Sequence, residues 1–123
     1  MKSSMWDGFN KRKFPRIHLT CEVVIQPLNK AKTFVATTED VGMGGVSVML
    51  EEPLERFDRC KITLELKDGE APVRCAGRSV WVIPSQDLKT SKKHFDTGIE
   101  FLDIDEFSRK RLQSFLMRPI KKT

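Results

Sequence analysis

The sequence predicts a mainly β fold: a small closed antiparallel barrel or sandwich, followed by a single helix. Three observations lead there. Six short apolar or alternating segments follow one another, separated by polar turns. Residues 60–67 alternate strictly, with Cys60, Ile62, Leu64 and Leu66 on one face and Lys61, Thr63, Glu65 and Lys67 on the other. The last segment has helical rather than two-residue periodicity, and Pro119 stands just beyond its end.

Residues 1–10 read as a disordered leader, polar and aperiodic apart from Trp6 and Phe9. The next stretch, RKFPR (Arg12–Arg16), cannot be helical: Pro15 fixes its own φ and pushes Phe14 out of the α region. Strands are expected at Leu19–Pro27 and Thr33–Asp40, joined by the polar turn Leu28–Lys32. Gly44–Leu50 follows, with Val46, Val48 and Leu50 on one face and Ser47 and Met49 on the other. A connector containing Pro53 leads to Cys60–Lys67, and Asp68-Gly69 supplies the next turn. Val73–Ile83 is a long strand in which Gly77 predicts a bend or bulge. Parity puts Trp81 on the core face with Val73, Cys75 and Ile83, and Arg74 and Arg78 on the outer face. His94–Leu102 is the sixth strand. The helix is expected over Glu106–Met117 with Asp105 as N-cap. Ile104, Phe107, Leu112, Phe115 and Leu116 make its apolar face.

At 123 residues the chain fits one domain with a core of its own. With 39% hydrophobic and 32% charged residues, the balance is that of a water-soluble protein. No apolar run reaches the roughly 18 residues of a membrane span, and the N-terminus lacks the apolar stretch of a signal peptide. No membrane insertion and a cytoplasmic location are the expectations. Cys21, Cys60 and Cys75 are odd in number, far apart and set in apolar segments, which predicts buried reduced thiols and no metal site. Residues 1–16 carry +4, residues 109–123 carry +6, and residues 17–108 carry −5. Positive charge at the ends rather than across the body argues against a nucleic-acid polymer as partner. His18 and His94 stand far apart with no nucleophile motif near either, so no enzyme activity is expected.

The chemistry concentrates in two segments. RKFPR sets two planar guanidinium groups four residues apart, about 13 Å in extended chain. DVGMGG (Asp40–Gly45) ends a strand with a carboxylate and follows it with glycines, where backbone can approach a flat ligand. Arginine forks suit phosphate and the O6/N7 edge of guanine. A carboxylate suits donors.

In that order, RKFPR matches RxxxR, and DVGMGG matches all but one position of (D/N)xSxxG. The pair resembles the PilZ domain, a bacterial receptor module for cyclic di-GMP. The resemblance runs on through GRSVWVIP (Gly77–Pro84), GIEFLDID (Gly98–Asp105) and the closing helix. It implies a six-stranded antiparallel PilZ-type β-barrel with a C-terminal α-helix and a flexible N-terminal arm. The implied organisation is leader 1–10, domain 11–118 and basic tail 119–123.

It further implies that Arg12 and Arg16 contact phosphate and guanine, and that Asp40 accepts from a guanine Watson–Crick edge. Gly42 and Gly45 lie in the binding loop, and Gly42 stands where the family usually has serine. Lys11, Lys13 and Arg78 are ancillary candidates, with Lys11 placed to help neutralise a second ligand molecule. The implied role is that of a receptor or adaptor whose conformation changes on binding cyclic di-GMP. It would signal to a separate, unidentified protein, as a monomer rather than an obligate oligomer. The alternative is a degenerate module that binds only proteins.

Overall fold

The computed structural model describes residues 16–117. Lys11, Arg12 and Lys13, the leader and the basic tail lie outside the described residues.

Among the described residues, seven strands and one helix follow in order: β1 (Arg16–Ile17), β2 (Glu22–Pro27), β3 (Phe34–Gly42), β4 (Gly45–Leu50), β5 (Arg59–Leu64), β6 (Val73–Gln86), β7 (Lys93–Asp103) and α1 (Glu106–Leu116). The sheet order is β1-β3-β2-β5-β6-β7-β4, and a further β3–β4 pairing closes six strands into an antiparallel barrel. The expected fold class is therefore met, with β1 as an addition. β1 and β2 lie along one edge of β3, and Thr38 joins them across the gap. Its hydroxyl donates to Leu19 O (2.7 Å) and accepts from Cys21 N (2.9 Å). The expected first strand, Leu19–Pro27, is thus interrupted at its start. β6 and β7 run further than expected, to Gln86 and from Lys93.

Inward residues fill the barrel with β-branched and leucine side chains. Val23, Ile25, Val41, Val46, Val48 and Ile99 are fully excluded from solvent. The strict alternation expected for the fourth predicted segment holds, with Cys60, Ile62, Leu64 and Leu66 all buried. Cys21, Cys60 and Cys75 are free thiols. Burial pushes Cys60 up to about 11 and Cys75 up to about 12, so both stay protonated at neutral pH.

The closing helix is seated by three contacts. Asp105, in extended backbone, accepts from Ser108 N at 2.7 Å, which holds its carboxyl below the ordinary carboxylate value. Leu112 is fully buried within the core. Arg111 grips Asp68 through both ends of its fork (3.1 and 2.7 Å), and this bond likewise lowers the Asp68 carboxyl. Asp68 sits in the β5–β6 connection beside Gly69, whose φ of 88° calls for glycine. The apolar face is narrower than the sequence implies: Phe107 is 66% exposed, because Arg111 and Ser108 occupy the arc it was expected to share.

Candidate functional site

Three bulges bend one side of the barrel. Between Thr38↔Val48 and Asp40↔Ser47, β3 holds one extra residue, Glu39. Between Ser79↔Ile99 and Trp81↔Gly98, β6 holds one extra residue, Val80. β7 holds Leu102 extra between Ala76↔Asp103 and Gly77↔Phe101, which is the irregularity that Gly77 announces.

Each extra residue reverses the in-out parity of the strand beyond it. Phe34, Ala36 and Thr38 face inward, so an unbroken strand would send Asp40 into the core. Glu39 absorbs one step. Val41 takes the buried place, at 0% exposure, and Asp40 turns outward with its side chain one-third exposed. Val80 does the same for Trp81. The expectation that Trp81 shares the core face of Val73 and Cys75 is corrected here: the indole lies on the outer face, and Val82 packs against the core instead.

The consequence is a single row across four strands, Asp40↔Ser47↔Gly98↔Trp81. Ser47 Oγ donates to Asp40 Oδ2 (3.2 Å), and His18 Nδ1 lies 3.6 Å from Asp40 Oδ1. Trp81 lies over Gly98, where an added Cβ would come within 2.5 Å of the indole. Its Nε1 points at Asp96 Oδ1, 3.5 Å away. From Asp40 to Trp81 the row spans three strand spacings, about 14 Å.

The β3–β4 hairpin splays beyond this row. After Val41↔Val46 the two strands part: Gly42 pairs with Arg16 of β1, and Gly45 pairs with Glu100 of β7. The end of RKFPR and the loop of DVGMGG, 26 positions apart, are thereby brought into register. Gly69 is the positive-φ glycine among the described residues, so Gly42 and Gly45 serve by close backbone pairing and not by a left-handed turn. Both are buried.

Of the expected site residues, Asp40, Gly42, Gly45 and the backbone of Arg16 come together. Arg78 is on the outer face as expected, but its guanidinium is bound to Glu100 across the β6–β7 pair through Nε (2.9 Å) and Nη2. Ser47 and His18 were not among the expected site residues. Ser47 is the one polar side chain in the apolar run 46–50 beside the loop, and that was the available signal. The row joins, on the outer side of the sheet, a carboxylate acceptor, the buried hydroxyl that holds it, a glycine covered by the indole, and the indole's own aromatic face. Among the described residues no group of three or more His, Cys, Asp or Glu could hold a metal, and no helix is long and apolar enough to cross a membrane.

Compared with known protein families, residues 10–118 match the PilZ domain. The chain belongs to the PilZ domain family. No curated protein matches it in sequence. Solved structures that resemble it include the PilZ domain of YcgR from Escherichia coli with c-di-GMP. There the TM-score is 0.67 at 15% identity, over 84% of this chain and 86% of that one. The PilZ domain of CeSA from a cellulose synthesizing bacterium gives 0.60 at 25% identity, over 84% and 98%. The inhibitor of motility MotI/DgrA of Bacillus subtilis gives 0.65 at 18% identity, over 85% of this chain and 49% of that one. This PilZ chain therefore spans about half the length of MotI/DgrA.

Proposed function

We propose that this PilZ domain is a non-catalytic receptor for cyclic di-GMP that acts in the cytoplasm and passes its signal to a separate protein. The observation that carries the reading is the outward row Asp40–Ser47–Gly98–Trp81, beside the pairing of Arg16 with Gly42. Asp40 accepts from the guanine N1 and N2 donors, a charge-assisted contact, while Ser47 holds its second oxygen. Trp81 offers a ring beside a base, and base–aromatic stacking contributes roughly 1–3 kcal/mol. Arg12 and Arg16 clamp the phosphates, with Lys11 and Lys13 adding charge. Arg78, committed to Glu100, acts at most by exchanging that partner for the ligand. Residues 11–118 make the working unit.

Engagement of the arginine segment with the ligand gives the filled domain a surface that the empty one lacks. That surface is what a downstream protein reads. Gly42 lacks the hydroxyl of the usual serine, a loss of roughly 0.5–1.5 kcal/mol. This one departure favours a second reading, in which the domain binds only proteins.

Calorimetry with cyclic di-GMP, GTP and a single-stranded oligonucleotide separates the two readings. Cyclic di-GMP is expected to bind in the micromolar range or tighter, well ahead of the others, with two molecules per chain at saturation. No heat at about 100 μM ligand overturns the receptor reading in favour of the protein-only module.

A further inference from the structure

The barrel side formed by β2 and β5 carries a charge pattern that the nucleotide site does not use. Its outer face is set by register in four steps. Glu22 lies beside Glu65, whose N–H donates to Glu22 O (2.9 Å), and Val24 lies beside Thr63. Gln26 lies beside Lys61, and Leu28, whose N–H donates to Arg59 O (3.1 Å), lies beside Arg59. One end is therefore acidic, the next row, Val24–Thr63, is uncharged, and the two rows at the other end carry Lys61 and Arg59. Glu65 accepts from the Lys67 backbone N–H. Glu22, Arg59 and Lys61 make no side-chain hydrogen bond or ion pair among the described residues.

Two further features mark this face as unfinished. Val35, which pairs with Val24 on the neighbouring β3, is 76% exposed, and Leu28 is 59% exposed. A shallow hollow of about 450 Å³ opens between β2, β5 and β6, with Lys61 and Arg74 on its rim. Aromatic side chains do not line it, so it lacks what a single-stranded nucleic acid would stack on.

Such a face is complementary to itself. A second copy laid against it can be related by a two-fold axis along the strands or across them. An axis along the strands would set acid on acid and base on base. An axis across the strands reverses the order of the rows. Arg59 of one copy then meets Glu65 of the other, with Glu22 beside it, and Lys61 lies over the uncharged row Val24–Thr63, next to that acidic pair. On β6 and β7 the same operation brings Arg74 toward Asp103, two side chains on neighbouring rows of the outer face.

We infer that the outer face of β2 and β5 is a self-association surface, on which two copies of this chain pack antiparallel about a two-fold axis across the strands. The face measures about 20 by 15 Å. That is well under the roughly 800 Å² per partner of a tight complex, so the dimer is weak, salt-sensitive and in exchange with monomer. It lies on the side of the barrel away from Asp40 and Trp81, and the inference stands whether or not the nucleotide reading holds.

Sedimentation equilibrium on the full chain tests it. A dimer is expected to grow in at about 500 μM protein and about 50 mM salt, and to fall back to monomer at about 500 mM salt, where screening reaches contact distance. Arg59→Glu with Lys61→Glu, and separately Glu22→Lys with Glu65→Lys, should each be monomeric with an unchanged circular dichroism melt. Mixing the two double variants should restore a dimer of one copy of each, because each basic end then faces an acidic one. Wild type that stays monomeric at low salt overturns the inference. So does a mixture that fails to associate, an outcome that would leave the face to a different, acidic protein.

Discussion

The two sides of the barrel are built by different rules. On β2 and β5 the strands pair in unbroken register, and every second residue points the same way from end to end. On β3, β6 and β7 three extra residues, Glu39, Val80 and Leu102, break the register, and two of them immediately precede the side chains that define the candidate site. The regular side presents a flat charged face. The bulged side presents an acid and an indole that regular strands would have buried. In this PilZ domain bulges are thus the means by which a closed barrel, whose interior is full, brings a site to its surface.

The contrast between the sides should fail most visibly if the order that the bulge sets is reversed. Exchanging the two residues beyond it, Asp40→Val with Val41→Asp, should put a carboxylate unpaired in the core at the fully buried place of Val41. The expected loss is on the order of 3–5 kcal/mol, read as a fall in thermal unfolding temperature and loss of nucleotide binding together. An exchanged variant that keeps both would mean that the bulge does not decide which of the two residues faces inward.

Gly98→Val should come second in size. Its Cβ would meet the Trp81 ring at 2.5 Å, and the ring cannot yield without leaving the row. Overpacking of about 1–3 kcal/mol in stability is expected, with nucleotide binding weakened by up to the roughly 1–3 kcal/mol of a lost stacking contact. Thr63→Val on the regular side is the control, and its binding isotherm should match wild type.

These variants also mark how much was legible in the sequence. Cys60–Leu66 could be read in full because a regular strand keeps its period, and the Asp105 N-cap could be read because it depends on three neighbouring residues. Asp40, Gly42 and Gly45 were singled out by the DVGMGG match to the PilZ motif, and the pairings of β3 and β4 bring them together. Trp81 was misplaced because parity carried across Val80, and nothing local in the string Ser79–Val82 marks which residue is the extra one. Phe107 was misplaced for another reason. Helical periodicity names an apolar face, but the bidentate Arg111–Asp68 bond, made over 43 positions, decides which part of that face is covered.

A smaller effect is expected from the arginine arm. Arg12→Ala and Arg16→Ala should each weaken cyclic di-GMP binding by roughly 1.5–3 kcal/mol, as for charge-assisted hydrogen bonds. The melting temperature should not change. Unchanged affinity in both variants would remove the arm from the site.

Gly42→Ser is the finest probe. Because Gly42 is outside the left-handed region, a side chain meets no backbone strain there, and the added hydroxyl should tighten binding by a factor of about 2 to 13. Weaker binding with intact stability would show that the Gly42–Arg16 pairing leaves no room for a Cβ.

It is the bulged side, and not the regular one, that is proposed to hold the nucleotide. Mapping of amide and indole resonances by nuclear magnetic resonance during a cyclic di-GMP titration tests this directly. Shifts are expected along Asp40–Ser47, at Gly98 and at the Trp81 indole, while Val24, Thr63 and Arg74 stay fixed. Shifts centred on β2 and β5, with Asp40 and Trp81 unmoved, would contradict it.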